Sequence, residues 1–119
     1  MRSDRGATEV FVLRTAGGYR VRPAYVAASP GQDVHFVNMT GGRVRLYFPD
    51  PSAFGTERQE VAPGKTACIT IPEKAEPGHF PYAAYSEEAR DFCLGESSPE
   101  VIIRRLKMTS SQPLPTILR

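Results

Sequence analysis

The stretch whose reading decides the fold is residues 77–93, PGHFPYAAYSEEARDFC. Its opening Pro-Gly pair reads as a turn entering a strand. Phe80, Tyr82 and Ala84 then share one parity, against His79 and Pro81 on the other, which is the period of a strand with one apolar face. From Ser86 the pattern changes. Ser86 is placed as an N-cap, Glu87 and Glu88 would fill a first helical turn, and Ala89, Phe92 and Cys93 follow at i, i+3 and i+4. Gly95 stands where a helix would stop. The spacing predicts a short helix over Glu87–Leu94, with Cys93 as a core thiol.

Working outward, SPGQDV and VAPGKT repeat the Pro-Gly entry. Strands are expected at Glu9–Arg14, Tyr19–Arg22, Tyr25–Ala28, Asp33–Asn38, Val44–Phe48, Ala67–Ile71, Phe80–Tyr85 and Val101–Arg105. Val34 and Phe36 oppose His35. Val44, Leu46 and Phe48 oppose Arg43, Arg45 and Tyr47, and Ala67, Ile69 and Ile71 oppose Cys68 and Thr70. The Gly-Gly pairs of TAGGYR and MTGGRV lack phosphate-loop spacing and read as hairpin turns. Many short strands, each with one apolar face and turn signals between, predict an all-β sandwich or barrel. One domain is expected over residues 9–106, after a flexible N-terminus (1–8) and before an extended, Pro-rich tail or linker (107–119).

A chain of 119 residues is long enough for one hydrophobic core. Fifteen basic against thirteen acidic residues give a net charge of +2, which makes no electrostatic case for nucleic acid. The densest basic run, RRLK at 104–107, reads as a solvated strand edge or tail. No apolar run is long enough to span a membrane. The charged N-terminus has no signal-peptide core, so the chain as written reads as cytoplasmic, and one trimmed of a signal would look the same. Two cysteines permit at most one disulfide.

Taken together, three segments resemble the cupredoxins, the plastocyanin-like blue-copper proteins. VHFVNMTGGRVRLYF is similar to that family's hydrophobic-x-Phe-x-Asn strand, glycine-bearing loop and next strand. VAPGKTACITIPEKAEPGHFPYAAY is similar to its Pro-Gly turn, strand and aromatic approach to the metal, and PEVIIR to its closing strand. The resemblance covers about residues 20–105 and implies a Greek-key β-sandwich, here with one short helix. It also implies where the ligands of a blue-copper site would fall. The first His position is Val44, the Cys is Ala84, the second His is near Glu87, and the axial Met is near Ser97. None of these side chains supplies the family's ligand atom, and valine and alanine have no donor at all. The resemblance therefore implies a copper-free scaffold with no cofactor.

Other chemistry finds little support. Cys-x-x-Cys, His-x-His and His-x-x-x-His spacings are missing, and His35 and His79 share outward parities that need not converge. The plain reading is exposed histidines and buried thiols; the alternative is a metal carrier or electron-transfer protein whose site assembles His79, Cys93 and Glu87. Neither histidine sits in a nucleophile signature, and Glu87 and Glu88 are adjacent and so do not face one another, so no enzyme is expected. Function then falls to surfaces. Arg43, Phe54, Tyr85 and Arg90 would gather at the end that carries the metal in the family, a mixture of aromatic and Arg side chains suited to another protein or to another domain of the same chain. The loop PDPSAFGTERQE, at 49–60, is the other candidate surface. A structural domain of a different sandwich family, such as an immunoglobulin-like one, would differ in strand order.

Overall fold

The computed structural model describes residues 7–95 and 99–104. Eleven strands and one helix follow in order: β1 (Ala7–Thr15), β2 (Gly18–Arg22), β3 (Tyr25–Ala28), β4 (Asp33–Asn38), β5 (Val44–Tyr47), α1 (Pro51–Phe54), β6 (Arg58–Val61), β7 (Thr66–Thr70), β8 (Gly78–Pro81), β9 (Ala83–Ser86), β10 (Asp91–Phe92) and β11 (Glu100–Ile103). Two of the Pro-Gly entries are turns with glycine in the left-handed region. Gly31 (φ 88°) lies inside a Ser29-to-Gln32 hydrogen bond, and Gly64 (φ 75°) inside an Ala62-to-Lys65 bond. Both positions are third in a four-residue turn, where a side chain would be strained.

The first sheet has the order β2-β1-β4-β7, with β1 parallel to β4 and the other pairs antiparallel. Facing it are β10-β9-β5-β6 and β3-β11-β8. Tyr82 interrupts the long strand expected at Phe80–Tyr85, so that β8 pairs with β11 and β9 with β5. The chain crosses between the layers from β4 to β5 and returns from β6 to β7, and sequential strands are therefore often not neighbours. MTGGRV makes the first of those crossings and is not the hairpin turn its glycines suggested. TAGG does close a hairpin, with Thr15 opposite Gly18.

The alternation along each strand fills the space between the layers. Val10, Val12, Val34, Phe36 and Ile69 come from the first sheet, and Val44, Leu46, Phe48, Ala84, Val101 and Ile103 from the second. Phe36 meets Tyr82 edge-on with ring centres 5.3 Å apart, and Phe48 stacks on Phe54 at 4.4 Å. Burying each such ring stabilises the fold by about 2–3 kcal/mol. Among the described residues no helix is long and apolar enough to cross a membrane.

Two elements differ from expectation. The helix expected at Glu87–Leu94 is a tight turn followed by β10. Ser86 does act as a cap, its Oγ accepting the Ala89 N–H at 3.0 Å, and one helical turn closes with the Arg90 N–H on the Ser86 carbonyl at 2.8 Å. Arg90 then turns left-handed (φ 58°) and sends Asp91–Phe92 back against β9, where the backbone of that strand takes up its hydrogen bonds. Among the described residues the one helix is instead α1, inside the segment expected as a loop. Asp50 caps it by accepting from Ser52 N–H, Pro51 opens it, and Gly55 (φ 78°) closes it by donating to the Pro51 carbonyl.

Candidate functional site

The crossing from β4 to β5 is held by a buried amide. Asn38 Nδ2 donates to the Gly42 carbonyl at 2.8 Å and to the Val61 carbonyl at 2.9 Å. Its Oδ1 accepts from the Thr40 N–H at 2.9 Å and the Thr40 hydroxyl at 2.7 Å. The amide thereby satisfies the polar groups of a backbone that must change sheets. Over this crossing lies the Glu87–Arg90 turn. A Cβ on Gly42 would come within 2.7 Å of the Glu88 Cβ, so the glycine permits the contact.

The carboxylates of the turn are tied outward. Glu88 accepts from the Tyr19 hydroxyl at 2.6 Å and pairs with Arg14 at 3.4 Å. Glu87 pairs with Arg45, which also reaches Glu60, and Glu60 pairs in turn with Arg43. The Arg45 pKa is raised, first by its hydrogen bond to the Tyr47 hydroxyl and then by Glu87. Beneath this ionic lid, Val44 and Ala84 both face the core and are almost completely buried. Val44 stands opposite Ser86, two residues from Ala84 on the same face of β9. The two positions that the family resemblance gives to a histidine and a cysteine are thus near neighbours filled by aliphatic carbon. Glu87 lies just beyond them, its N–H on the Arg43 carbonyl and its carboxylate turned to Arg45. Ser97 is outside the described residues.

Of the expected surface residues, Arg43 and Arg90 are exposed and Tyr85 is half-buried, its ring edge-on to Phe92 at 5.1 Å. Phe54 is not among them. It is 2 % exposed and stacked on Phe48, because α1 turns its apolar face inward. Residues not expected at the surface replace it: Phe92 and Leu94 are each about half exposed. The change from helix to strand at Asp91–Phe92 puts them there. Leu94 then bridges to Arg20, so this segment links the edges of the two layers.

The metal-ligating side chains are also distributed differently from expectation. His79 pairs with Glu100 at 3.3 Å on an exposed strand. Cys93 is buried, as read, with its thiol pushed up to about 11 by burial and by Asp91. His79, Cys93 and Glu87 do not form a cluster. Both cysteines are free, but Cys68 is exposed rather than buried. Among the described residues, the group with metal-ligand character is Asp33, His35 and Cys68, on the outer face of the first sheet.

No protein-family model and no curated protein sequence matches the chain. Solved structures do. A Cu(I) methionine-to-alanine mutant of amicyanin superposes with a TM-score of 0.58 at 13 % identity, covering 87 % of this chain and 86 % of that one. A second such mutant gives 0.57 at 13 % over the same shares. A purple cupredoxin from Nitrosopumilus maritimus gives 0.55 at 12 %, over 82 % of this chain and 99 % of that one. The fold is that of the cupredoxins. Within it β1 runs parallel to β4 and β3 parallel to β11.

Proposed function

We propose that this chain is a cupredoxin-like domain without the blue-copper site, serving as a module that binds another protein or another domain of its own chain. The observation that carries the reading is the packing at Val44 and Ala84. Both are enclosed in the aliphatic core, and the carboxylate of Glu87 is engaged by Arg45 on the outer side. A blue-copper ion takes imidazole and thiolate donors at those positions, and the side chains of Val44 and Ala84 offer none. The turn over the core is tied down by charge pairs and left with exposed Arg43, Arg90, Phe92 and Leu94 beside Tyr85, the residue types that make centres of protein interfaces.

The test is capture of a partner by the immobilised domain. The double variant Tyr85→Ala/Arg90→Ala is expected to weaken binding at least tenfold with an unchanged circular dichroism spectrum, while Lys74→Ala, in the exposed loop after β7, leaves it intact. Equal binding by all three proteins would place the interface elsewhere. A second reading, a metal carrier with a site of its own, is favoured by the Asp33–His35–Cys68 group.

A further inference from the structure

The outer face of the first sheet carries a set of side chains that neither the core nor the interaction surface uses. Asp33 and His35 alternate along β4 and so point the same way. Cys68 on β7 stands directly opposite His35, and Thr70 directly opposite Asp33. One ligand atom each from Asp33, His35 and Cys68 lies within 4.8 Å of the other two. The Thr70 hydroxyl donates to Asp33 Oδ1 at 2.7 Å, which orients the carboxylate from behind. β4 is paired on both sides, by β1 and by β7, so the backbone beneath the group is fixed.

We propose that Asp33, His35 and Cys68 form a zinc site on the face of the β4–β7 pair, with a fourth position open to solvent. The donor set suits zinc, a borderline ion that accepts sulfur, nitrogen and oxygen. A thiolate, an imidazole and a carboxylate are the three ligand types of tetrahedral zinc, whereas calcium and magnesium take oxygen alone, and a carboxylate is a poor donor to Cu(I). Ligand atoms around tetrahedral zinc stand about 3.3–3.8 Å apart. Rotamer adjustments of roughly an ångström therefore close the group on a metal without moving the strands. Asp33 and His35 are half-buried and Cys68 is exposed, leaving an entry path and room for water or a fourth ligand from a partner. The site is separate from the positions of the blue-copper ligands, since Val44 and Ala84 face inward from the opposite layer. It accordingly stands or falls independently of the interaction reading.

The test is titration of the reduced full chain with Zn²⁺ against a chromophoric chelator, and with Co²⁺ followed by absorption. Wild-type protein is expected to bind one zinc with a Kd of about 1 µM or tighter. The cobalt form should show a thiolate-to-metal charge-transfer band and tetrahedral ligand-field bands. Cys68→Ser should abolish the charge-transfer band, and His35→Ala and Asp33→Asn should each weaken zinc at least tenfold. His79→Ala should change nothing. All four positions lie at the surface or half-buried, and circular dichroism checks that each variant is folded. An independent readout is thermal stability, which zinc should raise in wild type and not in Cys68→Ser. Wild-type affinity no tighter than about millimolar, or a charge-transfer band that survives Cys68→Ser, would overturn the proposal.

Discussion

Tyr82 packs against Phe36 and Phe48, and its hydroxyl is buried with no hydrogen-bond partner. Burial raises the phenol pKa. An unpaired buried hydroxyl costs about 1–3 kcal/mol of desolvation, so Tyr82→Phe should leave stability unchanged or raise it by up to about 1 kcal/mol in urea denaturation. A loss of 1 kcal/mol or more would mean that the hydroxyl has a partner. Cys93 makes a pH prediction. Its thiol is raised from 9.0 to about 11 by burial and by Asp91, so the folded state holds the proton more tightly than the unfolded one. That contribution is complete below pH 9 and is lost as pH rises from 9 through 11. After allowance for solvent screening it is on the order of 1–2 kcal/mol. Cys93→Ala should be less stable at neutral pH yet lose less stability than wild type over this interval. Cys93 is buried as expected but not on the helical stripe that suggested it, since Ala89 and Phe92 of that stripe are exposed; the burial of Phe54 was not legible, because a loop assignment carries no inward face.

At the scale of the element, turn chemistry was the most legible part of the sequence, and strand partnership the least. The Pro-Gly pairs marked strand entries correctly, and Ser86 was rightly read as a cap. What the local pattern did not contain was the free edge of β9. That edge takes up Asp91–Phe92 after a single helical turn, and pairing with the strand just before it prevails over helical propensity. β6 escaped notice for a related reason: Arg58, Gln59 and Glu60 are all exposed, so this edge strand has no apolar period. α1 was detectable, since Asp50, Pro51 and Gly55 are a cap, a first-turn proline and a stop in sequence. Two substitutions probe these connections. Asn38→Ala removes hydrogen bonds to Gly42, Val61 and Thr40 from a buried crossing and should cost about 2–4 kcal/mol by chemical denaturation. Arg90→Gly relieves a left-handed arginine and should stabilise the hairpin by about 0.5–1 kcal/mol. A loss of stability there would mean that the arginine side chain contributes more than its backbone costs.

For the molecule as a whole, the fold was legible because its sandwich is written in period-two strands, whose inward residues now line the core. The candidate sites were legible only in part. Val44 and Ala84 could be placed by counting along two recognisable strands. The Asp33–His35–Cys68 group depends on the β4–β7 register, which no local pattern states. The central proposal is that the aliphatic pair and the Arg45–Glu87 lid stand where a blue-copper centre would lie on a cupredoxin-like scaffold. The most direct measurement is copper(II) titration of the Cys68→Ser protein by visible absorption and calorimetry, a background that removes the outer-face thiolate. The account predicts no thiolate-to-copper band, and it predicts that adding Val44→His, Ala84→Cys and Glu87→His makes the band appear. An intense charge-transfer band with one-to-one copper in the Cys68→Ser protein alone would contradict it.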